Sequence, residues 1–128
     1  MKLLIDTHVF IWWDNQDERL SNRVRDALSN PENEIFLSLA SVWEMQIKFQ
    51  LGKLTLRNEL PVILEEQERT NRIFILPPNR QDVFYHGRLP LHHRDPFDRM
   101  ILAQALRGSF HLVTHDSCMG LYDAPIFW

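Results

Sequence analysis

Short, uninterrupted apolar runs alternate with longer stretches of helical periodicity along this sequence. Such runs are typical of strands that are buried on both faces. We predict strands at residues 2–5, 35–37, 73–76, 111–114 and 126–128. Helical patterns separate the first four of these strands, and this alternation predicts an α/β fold with a mainly parallel sheet of four to five strands.

The stretch 93–105 combines a helix start, two acidic residues and an apolar helix. Pro96 suits the first turn of a helix, and Asp95 before it is a good N-cap. Asp98 falls in the first turn, where the helix dipole favours a negative charge. The residues that follow are apolar on nearly every side, up to a predicted end at Gly108. The sequence therefore places a carboxylate at the rim of a buried helix.

Length and charge narrow the class of protein. The chain has 128 residues, which predicts one domain spanning 1–128. Its net charge of -3 argues against a broadly basic nucleic-acid-binding surface, so affinity for a polyanion would need local arginines or metal ions. Cys118 is the one cysteine, and no apolar run approaches the roughly 20 residues that span a bilayer. We expect a soluble cytoplasmic protein without a disulfide.

Four acidic residues occupy positions from which a site could be built. Asp6 and Asp116 follow predicted strands, while Glu44 and Asp98 lie near the starts of predicted helices. Sites in parallel sheets form beyond the carboxyl ends of the strands, so these side chains are expected to converge. Clustered carboxylates repel one another, and Mg²⁺ or Mn²⁺ relieves that repulsion. Such a metal site suits phosphodiester hydrolysis.

Each acid also has a simpler explanation. Glu44 stands three residues after Ser41, which is the spacing of a capping box, and four residues before Lys48, which is a favourable helix pair. Asp98 could serve only the dipole of its own helix. Asp116 could belong to an ordinary turn.

The basic residues near the acids are equally ambiguous. Arg94 and Arg99 could hold a phosphate, but the simpler expectation is that they pair with the two aspartates between them. His92 and His93 are adjacent, so we do not expect both to bind one metal from an extended loop. No His or Cys spacing in the chain is that of a zinc site.

Four segments together resemble the successive motifs of PIN-domain proteins, and most closely those of VapC-like toxins of bacterial toxin–antitoxin pairs. The segments are Leu4-Ile5-Asp6-Thr7-His8, Ser41-Val42-Trp43-Glu44, His93-Arg94-Asp95-Pro96-Phe97-Asp98-Arg99 and Leu112-Val113-Thr114-His115-Asp116. The resemblance implies a three-layer α/β/α sandwich. It also implies an endoribonuclease that depends on Mg²⁺ or Mn²⁺.

The resemblance carries roles over to individual residues. It implies a catalytic and metal-binding set whose members are Asp6, Glu44, Asp98 and Asp116. Asp6 and Asp98 are the best-supported ligands, whereas Asp116 matches the most variable position and can act through water. Positioning of the substrate is implied for Thr7, Arg99 and Thr114, and Asp95 is interpreted as a helix cap rather than a ligand.

The same resemblance implies partners. These are an RNA substrate, a small cognate antitoxin and a second copy of the chain in a homodimer, with no membrane. Residues 9–13 and 60–69 are candidates for the antitoxin contact, although burial in the core explains their apolar character as well.

Two other functions compete with this one. The first is a PIN-like module that binds RNA but cuts it weakly or not at all. The second is a receiver-type signalling domain, which would need a phospho-accepting aspartate after the third strand. The sequence has Leu76-Pro77-Pro78 there, which disfavours the receiver.

Overall fold

A parallel sheet of five strands runs through the centre of the structure, a computed structural model that describes residues 1–128. The strands are β1 (Lys2–Ile5), β2 (Glu34–Ser38), β3 (Phe74–Leu76), β4 (His111–Val113) and β5 (Ile126–Phe127). Their order is β3-β2-β1-β4-β5, and every neighbouring pair is parallel. The predicted parallel α/β sheet is confirmed. The receiver hypothesis is wrong, because receiver domains have the order 2-1-3-4-5.

Six helices pack on the two faces of this sheet. They are α1 (Thr7–Asp14), α2 (Asn22–Ser29), α3 (Leu39–Gln50), α4 (Leu60–Asn71), α5 (Arg80–His86) and α6 (Pro96–Gly108). A short 3-10 turn at Met119–Leu121 was not predicted. No helix is long and apolar enough to cross a membrane.

Alternating side chains of the strands divide the core into two layers. Leu3 and Ile5 face one cluster, which also contains buried residues of α1 to α4. Leu4 faces the other cluster, which contains the buried face of α6 and, at its margin, Tyr85 of α5. Since side chains of a strand point alternately to opposite faces, this division gives the expected three-layer α/β/α sandwich.

The start of α3 differs from the capping-box prediction. Ser38, the last residue of β2, is the N-cap, and its hydroxyl accepts the Ala40 N–H at 3.0 Å. Ser41 lies inside the helix, so it does not form a capping box with Glu44. Glu44 therefore lies in the second turn of α3, not the first.

The two ends of α6 show one match and one difference. Asp95 is the N-cap, and its Oδ1 accepts the N–H groups of Phe97 at 2.8 Å and Asp98 at 3.2 Å. At the other end Gly108 is still helical, and Ser109 adopts the left-handed conformation with φ 56°. A Cβ at residue 108 would lie 2.2 Å from the Phe110 ring. Close packing by that ring, rather than backbone conformation, is what requires glycine there.

Candidate metal centre

Asp6 lies at the carboxyl end of the central strand and is also the N-cap of α1. Its Oδ1 accepts the Val9 N–H at 2.9 Å, and its Oδ2 accepts the hydroxyl of Thr114. The residue is 4% exposed and forms no ion pair. Burial raises the pKa of Asp6, because the charged form is poorly solvated there. Asp6 is thus a buried carboxyl group without an ion-pair partner.

Glu44 reaches the same edge of the sheet from α3. Its Oε1 lies 2.9 Å from the hydroxyl of Thr7, and its Oε2 lies 2.8 Å from the ammonium of Lys48. The Thr7 hydroxyl is also 3.0 Å from that of Ser41. Glu44 is 3% exposed, so these polar neighbours fix its orientation. The predicted pair with Lys48 is observed.

Asp98 and Asp116 approach each other across one imidazole. His93 Nε2 lies 3.0 Å from Asp98 Oδ2 and 3.2 Å from Asp116 Oδ2. These three ligand-type atoms lie within 4.8 Å of one another. Burial raises the pKa of Asp98 to about 7, and the charges of Asp95 and Glu44 add to the rise. The acids therefore converge closely enough to perturb one another.

Three intervening side chains join the acids into a continuous set. Thr7, next to Asp6 in the chain, contacts Glu44. Thr114 donates to Asp6 and accepts the backbone N–H of Asp116 at 3.0 Å, and His93 then links Asp116 to Asp98. The two threonines contact the acids themselves. Both hydroxyl groups are directed at carboxylates of the set.

Arg99 occupies a different place from the one expected. Its buried guanidinium donates to the carbonyl oxygens of His86, Leu89, Pro90 and His93 at 2.9–3.2 Å. It forms no ion pair with Asp95 or Asp98, and neither does the exposed Arg94, so the predicted pairing is wrong. The guanidinium of Arg99 thus ties together the loop before α6.

The PIN domain profile matches residues 3–123. This chain belongs to the PIN domain family. The curated ribonuclease VapC22 of Mycobacterium tuberculosis is 23% identical over 124 residues, which cover 96% of this PIN domain and 93% of that protein.

Two solved structures share the fold. One is VapBC2 from Rickettsia felis bound to a DNA fragment from its promoter, with a TM-score of 0.74, 18% identity and coverage of 98% of this PIN domain and 96% of that chain. The other is VapBC-5 from Mycobacterium tuberculosis, a member of the VapBC family of toxin–antitoxin systems. Its TM-score is 0.60 at 15% identity, with coverage of 98% and 93% of the two chains.

The donor set of this PIN domain fits a hard divalent cation. The candidate ligands are carboxylate oxygens, which Mg²⁺ and Mn²⁺ prefer. Lys48 is the only lysine or arginine paired with any of the four acids, and it engages Glu44 alone. Asp6 is buried without a cation, and the pKa of Asp98 is raised toward neutrality. A cation bound here would offset both the burial of the Asp6 carboxylate and the unfavourable ionisation of Asp98.

His93 is the site residue that the sequence analysis missed. The prediction said only that His92 and His93 would not both bind one metal. Only His93 faces the acids, whereas the His92 ring packs against Tyr122 with centroids 5.2 Å apart. His93 lies three residues before α6, in the same motif as Asp98, and this position was the available signal that it belongs to the site.

Proposed function

We propose that this PIN domain is a Mg²⁺- or Mn²⁺-dependent endoribonuclease that acts as the toxin of a toxin–antitoxin pair. The convergence of four carboxylates at the carboxyl edge of the sheet carries the proposal, since Lys48 is the only lysine or arginine that forms an ion pair with any of them. The family match and the curated ribonuclease relative support the same activity. The structural neighbours that contain VapBC pairs support the toxin role.

We propose a division of labour among the four acids that the contacts support. Asp6 and Asp98 are the principal ligands, with Glu44 and Asp116 completing the set. A divalent cation held there would polarise the scissile phosphate and make hydroxide available from water near neutral pH. Thr7 and Thr114 keep the buried carboxylates in place for it.

Cleavage of RNA by purified protein variants tests this function. Asp6→Asn and Asp98→Asn each preserve the size of the side chain, and asparagine at position 6 still caps α1. We expect each to reduce Mn²⁺-stimulated cleavage at least about 100-fold, since each removes a charged ligand. The control is Asp26→Asn, an exposed residue of α2 that loses the same charge.

Two results would contradict the assignment. Cleavage by Asp98→Asn at the wild-type rate would exclude the proposed site. Wild-type protein that binds RNA but does not cut it with either metal, in assays with and without EDTA, would instead favour the non-cleaving RNA-binding module.

A small antitoxin is the proposed protein partner. In the two candidate segments Val9, Phe10, Leu60 and Ile63 are buried in the core, so a partner can contact only the outward side chains. Val62 is one such side chain. Co-expression with the short open reading frame upstream, if there is one, followed by hydrogen exchange, should show protection confined to outward faces of α1 and α4. Absence of protection there would remove these segments from the interface.

The proposed homodimer has a candidate surface beside the acids. An apolar groove of about 560 Å³ lies between α3, α5 and α6, and its lining includes Trp43, Val83 and Phe97. Trp43 is 63% exposed, and monomeric proteins seldom leave large contiguous apolar patches uncovered. Light scattering should give twice the chain mass for the wild type and the monomer mass for Trp43→Lys. A monomeric wild type would refute the dimer.

A further inference from the structure

His93 is held more completely than a loop residue needs to be. Its backbone N–H donates to the Tyr122 hydroxyl at 2.9 Å, and its carbonyl accepts from Arg99 Nη1 at 3.1 Å. The ring Nδ1 accepts the backbone N–H of Asp95 at 3.1 Å. With Nε2 directed at two carboxylates, every polar group of this residue is engaged. The side chain is 15% exposed.

The Asp95 contact assigns the tautomer of the ring. An atom that accepts an N–H must present a lone pair, so Nδ1 carries no proton. The neutral imidazole then carries its proton on Nε2. That N–H points between Asp98 Oδ2 and Asp116 Oδ2, at 3.0 and 3.2 Å. A protonated Nε2 has no lone pair for a metal, although the atom lies at a ligand-like distance from both acids.

We propose that His93 is a positioning residue of the metal centre, whose Nε2–H holds Asp98 and Asp116 together and orients their carboxylates toward the cation. This proposal rests on the proposed metal-dependent function. The two acids come from different elements, α6 and the segment after β4, and they would repel each other without a shared donor. Donors behind ligating carboxylates commonly set metal affinity in this way.

Two substitutions of His93 each preserve a different polar atom of the ring. His93→Gln places an amide N–H near the position of Nε2 but removes the acceptor at Nδ1. His93→Asn places an amide oxygen near Nδ1, where it can still accept from Asp95, but it cannot reach the two acids. The pair therefore separates the bridge to the acids from the local structure of the loop.

Mn²⁺ titration calorimetry on the purified proteins distinguishes the two roles. We expect the affinity of His93→Asn for Mn²⁺ to fall about 10-fold or more, and that of His93→Gln to stay within about 3-fold of wild type. RNA cleavage should fall in the same order. The reverse order, or wild-type affinity in His93→Asn, would overturn the proposal.

A spectroscopic measurement on the wild-type protein does not depend on whether the variants fold. Long-range ¹⁵N–¹H spectra of the imidazole should show the Nε2–H tautomer, and this tautomer should persist when Mg²⁺ is added. Loss of the Nε2 proton on Mg²⁺ binding would make His93 a ligand and would refute the positioning role. If the wild type neither binds Mn²⁺ nor cuts RNA, the proposed function itself fails. If it does both while the variants fail to separate, only the role of His93 fails.

Discussion

In the metal-free protein, the negative charge of Asp98 should lower the free energy of unfolding. The substitution Asp98→Asn should therefore stabilise the fold. Its pKa is raised from 3.8 to about 7, first by burial and then by the charges of Asp95 and Glu44. At 1.36 kcal/mol for each tenfold change, this rise sets an upper limit of about 4 kcal/mol for the cost of ionising Asp98 in the folded state. The side chain is 20% exposed, so solvent screening reduces that cost to roughly 1–2 kcal/mol.

The helix dipole acts in the opposite direction. Asp98 lies in the first turn of α6, where a negative charge contributes about 0.3–1 kcal/mol. The net gain on Asp98→Asn should therefore be about 1 kcal/mol above pH 7. This gain corresponds to a rise in melting temperature of about 4 °C for a domain of this size.

The gain should depend on pH in a defined direction. Between about pH 4 and pH 7 the folded protein retains a proton on Asp98 that the unfolded chain has already lost. The stability of the wild type relative to Asp98→Asn therefore falls as the pH rises through this window, and the difference is constant above it. Thermal unfolding in EDTA at several pH values measures this difference, with Asp26→Asn as the equal-charge control.

Metal should reverse the order of stability. Mn²⁺ at about 100 times its dissociation constant would stabilise the wild type by about 2.7 kcal/mol, whereas Asp98→Asn should gain much less. The predicted effect of Asp98 is refuted if Asp98→Asn is less stable than wild type at pH 8 in EDTA. It is also refuted if the difference does not change with pH, or if Asp26→Asn gives the same gain.

Three further substitutions test how the chain holds the site. Arg99→Met should lower the free energy of unfolding by about 3 kcal/mol in urea titrations, because it leaves several carbonyl groups without a donor; a loss under 0.5 kcal/mol would contradict this. Ser38→Ala should cost about 1 kcal/mol because α3 loses its N-cap, and an unchanged CD-monitored stability of this variant would contradict the cap assignment. Gly108→Ala should cost about 1–3 kcal/mol because the added methyl overlaps the Phe110 ring, and an unchanged melting temperature would refute that close contact.

The sheet could be predicted because its signals are local. Buried parallel strands are short apolar runs, and an acid placed directly after one, such as Asp6, marks the carboxyl edge where sites form. Asp95 and Pro96 predicted the start of α6 in the same way. These predictions needed only neighbouring residues.

The errors arose where distant contacts decide between local alternatives. Ser38 and Ser41 are both acceptable caps, and pairing of Ser38 with Leu76 in the sheet fixes where β2 ends and α3 begins. Arg99 was expected to pair with a nearby acid, but its guanidinium donates to the carbonyl oxygens of the loop instead. The position of His93 in the same motif as Asp98 was a local signal for one of its contacts, but its contact with Asp116, 23 positions away, could not be predicted from spacing.

The hydrogen bond between Thr114 and Asp6 joins residues 108 positions apart in the chain. β1 also forms one of its two sheet pairings with β4, which lies near the far end of the sequence. Because the N-terminal part of a protein leaves the ribosome first, Asp6 emerges long before Thr114 and Asp116 can join it. A truncated translation product that ends before β4 therefore cannot assemble the acidic centre. For the proposed ribonuclease, this topology would delay assembly of the site until β4 and Asp116 have been synthesised, and a fragment that ends before β4 would lack the site.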